Sequence, residues 1–102
     1  MELKFFTQPT PNPNALKFIF NKDVKTKGKI TYGSAEECEK NAMAMSLFAV
    51  NGVTKAHFFE NVITITQDGS AEWETLEDEV IELVRSQIAD HDPDFAHGID
   101  ED

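Results

Sequence analysis

The stretch Leu47-Phe48-Ala49-Val50-Asn51-Gly52-Val53-Thr54-Lys55-Ala56-His57-Phe58-Phe59-Glu60-Asn61-Val62-Ile63-Thr64-Ile65-Thr66 decides the architecture of this chain, because a helix ends inside it and a hairpin begins. Asn51-Gly52 follows the last apolar positions of a helical pattern, and glycine readily takes the left-handed conformation that closes a helix. Val53–Phe59 and Val62–Thr66 are β-rich runs separated only by Glu60-Asn61, the length of a tight turn, with Asn61 the residue expected to tolerate a positive φ. Ile63 and Ile65 alternate with Val62, Thr64 and Thr66, so the hairpin has a side to bury. A lone hairpin is marginal in water, and its apolar side needs cover from the rest of the chain.

On the N-terminal side, Leu3–Thr7 reads as a strand with Phe5 and Phe6 on opposite faces. Gln8-Pro9-Thr10-Pro11-Asn12-Pro13-Asn14 follows as a stiff loop, since proline removes donors and biases the preceding residue to extended conformations. Leu16–Phe20 alternates again, and Lys29–Tyr32 is a shorter β-like run. Ser34-Ala35-Glu36-Glu37 has the form of a capping box opening a helix whose apolar side is read as Cys38, Ala42, Met45 and Ala49, joined by Leu47 and Phe48. After the hairpin, Ser70 is the expected N-cap of a second helix over about 71–89. Its inner face is Trp73, Leu76, Val80, Leu83, Val84 and Ile88.

The expected fold is therefore α+β, an antiparallel sheet of four to five strands with two helices on one face, in the order β-β-(β)-α-β-β-α. The expected core is Leu16, Phe18, Phe20, Met45, Phe48, Ile63, Ile65, Trp73, Leu76, Val80, Leu83 and Val84. Two helices cover one face only, which leaves Phe6, Ile19 and Phe59 or Phe58 at uncovered or rim positions. They either form a patch for a partner or pack across strands and under the loop. Residues 1–89 are read as one domain and 90–102 as a flexible acidic tail.

The chain has 102 residues and a formal net charge of -10. Nucleic-acid binding is dominated by Lys and Arg neutralising phosphates, so that class of partner is not expected. The cluster Lys22, Lys25, Lys27 and Lys29 reads as a solvated connection. No apolar run is long enough to span a bilayer, the N-terminus is too charged for a secretory signal, and the expected location is the cytoplasm, with no membrane partner.

Chemistry is sparse. The chain has one cysteine, so no intrachain disulfide is possible, and Cys38 is expected as a small buried core residue. No nucleophile sits with a recognisable base, and no glycine-rich phosphate loop is present, so no enzyme is expected. Alternation puts His57 on the face of Lys55 and Phe59, opposite Ala56 and Phe58. His91, Asp94 and His97, with Asp92 and Asp100, are the weak candidates for a divalent metal such as iron.

Thr10-Pro11-Asn12-Pro13-Asn14-Ala15-Leu16-Lys17-Phe18, then Gly52–Phe59, Val62–Thr66 and Trp73 at the head of the last helix, together resemble the N-terminal domain of the Nfu/NifU-type iron–sulfur scaffold family. The Pro-Asn-Pro-Asn block is its specific part. Longer members carry a second domain whose Cys-x-x-Cys holds a cluster, and the resemblance implies a stand-alone copy of the accompanying domain. It implies a non-enzymatic interaction module for cluster assembly or client proteins. No cofactor is expected to be held stably by this chain alone, iron or a cluster entering only through family and partners. A cluster of the common type needs four thiolates, and two copies of this chain would offer two. Asn12, Asn14, Lys17, Lys55 and His57 are the expected partner-binding residues, being polar or rigid where the core pattern makes no demand. The Pro-Asn block is equally readable as a self-satisfied turn. The alternatives are a small iron-binding protein using the acidic and histidine residues, or an uncharacterised small enzyme.

Overall fold

The structure is a computed structural model, and it describes residues 3–38 and 41–91. Five strands run as β1 (Phe5–Pro9), β2 (Ala15–Phe20), β3 (Lys25–Tyr32), β4 (Val53–Glu60) and β5 (Val62–Gln67). They form one sheet in the order β1-β2-β5-β4-β3, with each adjacent pair antiparallel. A 3-10 turn (Ala35–Cys38) leads to helix α1 (Ala42–Phe48), and α2 (Trp73–Gln87) follows β5. The α+β architecture expected from the alternation is the one observed.

Period-two alternation sorts the strands into two faces. Phe18, Ile63, Phe58 and Ile30 lie side by side across four strands, and Leu16, Ile65, Ala56 and Tyr32 form the next row. All of these except the half-buried Leu16 are buried, and they join Met43, Ala44 and Leu47 of α1 and Leu76, Val80, Ile81 and Val84 of α2 in one core. Burying a side chain of this size contributes about 1.5–3 kcal/mol each, which is what holds the helices on this face. Phe58 meets Tyr32 edge to face at a centroid distance of 6.0 Å.

The first helix differs from the expected one in phase. The 3-10 turn ends at Cys38, and the helix restarts at Asn41, whose side-chain oxygen accepts from Ala44 N at 3.1 Å. This new start rotates the inner face to Met43, Ala44 and Leu47, so Met45, expected in the core, is 40% exposed. Glu37 reaches back as a capping glutamate does, but its carboxylate accepts from Gly33 N at 2.9 Å. Trp73, Phe48, Leu83 and Leu16 pack partly buried around the core rather than inside it.

Two turn assignments also change. Ser70 is not the cap of α2: its N–H donates to Asp68 Oδ1 at 2.9 Å, and the cap position is Glu72, which makes no side-chain cap bond. At the hairpin tip the positive φ falls on Glu60, at 53°, because Asn61 is tied to the end of β2. Asn61 Nδ2 donates to Phe20 O, and Phe20 N donates to Asn61 O, both at 2.8 Å. Edge strand β3 is irregular. Its register against β4 shifts between Lys25 and Lys29, where Gly28 has φ 65°.

Candidate functional site

The proline-rich loop satisfies its own backbone. Asn12 Oδ1 accepts from Asn14 N at 2.9 Å, an Asx turn that replaces a donor-poor ladder. Thr10, whose role no local pattern announced, is the centre of the loop. Its hydroxyl lies 2.8 Å from Asn12 O and 3.0 Å from Ala15 O and accepts from Asn12 N at 3.1 Å. The loop is then clamped from outside. Gln67 N donates to Asn14 O at 2.8 Å, and the indole Nε1 of Trp73 donates to Pro13 O at 3.1 Å.

The same end of the sheet gathers the neighbouring turns. Asp68 N donates to Gly52 O at 2.9 Å, and Gly52, at φ +96°, faces Ser70 and Asp68 so closely that a β-carbon would sit 3.4 Å from Ser70 Oγ. The Ser70 hydroxyl and N–H hold the Asp68 carboxyl below its ordinary range. Gln67, buried, donates no charge here, but its Oε1 accepts from Ala71 N at 2.9 Å and starts the path into α2.

Lys17, Lys55 and His57 come together on the sheet face opposite the helices. Lys17, Thr64 and His57 are lateral neighbours, and Lys55 lies beside Thr66 one row further. Two strand spacings put Lys17 and His57 about 10 Å apart. His57 Nδ1 and Thr31 Oγ1 share a hydrogen bond of 2.6 Å, which fixes the ring on this face. The next row is Phe6, Ile19, Val62 and Phe59, ending at Lys29. Phe6 is 62% and Phe59 42% exposed, whereas Phe58 is fully buried, so the open face takes Phe59. Asn12 and Asn14 stand apart from this face in the loop at its end.

Of the metal candidates, only His91 lies among the described residues. His91 Nε2 donates to Val24 O at 2.8 Å, and its ring lies 5.9 Å from Phe58. Asp94 and His97 lie outside the described residues, and so does the expected acidic tail from residue 92 on. Among the described residues no group of three or more His, Cys, Asp or Glu side chains is placed to hold a metal ion. Cys38 is fully buried, with Sγ 3.4 Å from Ala35 O and 3.5 Å from Ser34 O. Burial pushes this thiol up, against the thiolate that a cluster ligand requires. One inward-facing neutral thiol does not fit an iron–sulfur cluster.

On the helix side, a shallow groove of about 800 Å³ runs between α1 and α2. Its walls include Val50 and Leu83, and Asp78, Glu79 and Glu82 rim it. No helix among the described residues is long and apolar enough to cross a membrane.

A five-stranded antiparallel sheet with two helices on one face, and an opposite face that no described helix covers, defines a small two-layer α+β domain. The chain belongs to the Nfu/NifU scaffold protein N-terminal family, whose model matches residues 5–91. It is 39% identical over 87 residues to the mitochondrial NFU1 iron-sulfur cluster scaffold homolog of Drosophila persimilis, covering 81% of this chain and 30% of that protein. It is 26% identical over 89 residues to the mitochondrial NifU-like protein 5 of Arabidopsis thaliana, covering 87% of this chain and 32% of that protein. The chain thus spans about a third of the curated relatives it matches. Among solved structures, a NifU-like protein from Saccharomyces cerevisiae superposes with a TM-score of 0.77 at 26% identity, covering 85% of this chain and 79% of that one. These names overturn the cytoplasmic expectation: the fly and plant relatives are named mitochondrial, which points to that organelle.

Proposed function

We propose that this chain acts without catalysis, as an interaction module in iron–sulfur cluster assembly or delivery. It docks on assembly or client proteins, while the cluster rides on thiolates other than its own. The observation that carries this reading is the family match over residues 5–91 in a domain whose one thiol is buried and protonated. Docking uses Lys17, Lys55 and His57 on the open face of the sheet, with the rigid Asn12–Asn14 loop at its end. A loop already ordered loses little entropy when it binds.

Titration of the purified chain against purified cluster-assembly proteins and cluster-accepting apoproteins tests this. Saturable binding to at least one of them is expected, weakened by Lys17→Glu. Binding to none overturns the reading. So does anaerobic reconstitution with iron and sulfide that yields a stoichiometric chromophore lost in Cys38→Ser.

A further inference from the structure

We propose that the helix-free face of the sheet docks an acidic protein segment carrying apolar side chains. This rests on the interaction-module reading for there being a protein partner, and adds what that partner must look like. The row Phe6, Ile19, Val62, Phe59 crosses four strands, a span of about 14 Å. Its two ends are exposed aromatic rings, a costly arrangement in water that contact with apolar side chains would relieve.

Among the described residues lysines predominate around this row, with Glu60 an exposed carboxylate at the hairpin tip next to Phe59. Lys29 closes its β3 end, Lys17 flanks it on one side, and Lys55 follows one row beyond. On the other side stands Lys4, in phase with Phe6 and held opposite Asn21 by the bonds Lys4 N to Asn21 Oδ1 and Asn21 N to Lys4 O. All four lysines are exposed. The other positions of these rows are Gln8, Ala15, Thr31, His57, Thr64 and Thr66, none of them a carboxylate. This is a basic face on a chain of net charge -10, so it is a local arrangement set against the overall composition.

The occupant follows from that contrast. A long polyanion such as a nucleic acid, or an anionic bilayer, meets the field of the whole acidic molecule, whereas a short segment samples the lysines within a Debye length of about 8 Å. A second copy docking by its helix side would set Asp78, Glu79 and Glu82 against the lysines of the first. That head-to-tail contact is heterologous and would build a ring or an open chain of copies in place of a two-fold dimer. A separate acidic segment, with its apolar residues over Phe6 and Phe59 and its carboxylates over Lys17 and Lys29, fits without either difficulty.

The test is nuclear magnetic resonance titration of the isotope-labelled chain with a short synthetic peptide alternating glutamate and leucine. A lysine-leucine peptide, phosphatidylserine vesicles and a single-stranded oligonucleotide run in parallel, with sedimentation of the chain alone. The glutamate-leucine peptide should shift Phe6, Ile19, Val62 and Phe59. Its affinity should fall about tenfold in Lys17→Glu/Lys29→Glu and in Phe6→Ala/Phe59→Ala, with unfolding midpoints unchanged. No binding of that peptide overturns the proposal. So do shifts confined to the α1–α2 groove, equal binding of the basic peptide, tighter binding of vesicles or oligonucleotide, or self-association through this face. Capture of a purified assembly protein that survives Lys17→Glu/Lys29→Glu overturns this face and leaves the module reading standing.

Discussion

Trp73 and Pro13, 60 residues apart in the chain, are joined by a hydrogen bond of 3.1 Å from the indole nitrogen to the proline carbonyl. The first turn of α2 thereby holds the proline-rich loop. Trp73→Phe removes the donor and keeps most of the packing, so it should destabilise by about 1 kcal/mol. The expected sign beyond that loss is faster amide exchange through residues 10–14. Unchanged exchange there would show that the loop stands by its own Thr10 and Asn12 bonds.

Neighbouring phenylalanines in β4 should behave oppositely. Phe58 is fully buried and Phe59 is 42% exposed. Phe58→Ala should cost about 3–5 kcal/mol, and Phe59→Ala should stay within about 0.5 kcal/mol. Urea unfolding of the two variants compares them directly, and similar losses would contradict the register of β4.

Asn41 serves two elements. Its oxygen caps α1, and its Nδ2 donates to the buried Tyr32 hydroxyl at 3.3 Å. Asn41→Ala should therefore exceed the usual loss of about 1 kcal/mol for a cap. In a double-mutant cycle with Tyr32→Phe, a coupling of at least about 0.5 kcal/mol is expected. Strict additivity would mean the hydroxyl bond contributes nothing.

Cys38 gives the pH dependence. Burial raises its thiol above the ordinary value in the folded chain, so the folded state favours the protonated form. That contribution to stability is fully present below the unfolded thiol pKa of about 8.5 and is lost as pH rises through the higher folded value. Labelling by a thiol reagent at pH 8 should be slow and should accelerate with urea in step with unfolding. Immediate stoichiometric labelling of the native chain would place the thiol at the surface.

How much of this was legible in the sequence depends on the range of the interaction. The two faces of β2 and β5 follow from alternation, as Phe18 against Ile19 and Ile63 against Thr64 show, and the α+β layout follows from the order of the runs. The Cys38, Ala42, Met45, Ala49 stripe misled because it assumed one uninterrupted helix, whereas the cap at Asn41 resets the phase. Ser70 looked like a cap by type, but Asp68 had already taken its N–H. Lys17, Lys55 and His57 were legible singly as outward strand positions. Alternation also sets Lys55, His57 and Phe59 on one face, but the placing of Lys17 and Phe6 beside them was not legible, since it depends on β2 pairing with β5, a pairing of distant segments that no local pattern encodes.

The irregularity in β3 bears on how the sheet ends. A flat outer strand would template another chain's backbone and seed fibres. Here one border is interrupted between Lys25 and Lys29 around Gly28, and the other is a five-residue strand terminated by Pro9, which has no N–H to offer. Both borders thus resist lateral growth, so the molecule can keep two aromatic rings in water on its flat side without inviting the ordered stacking to which exposed sheets are prone.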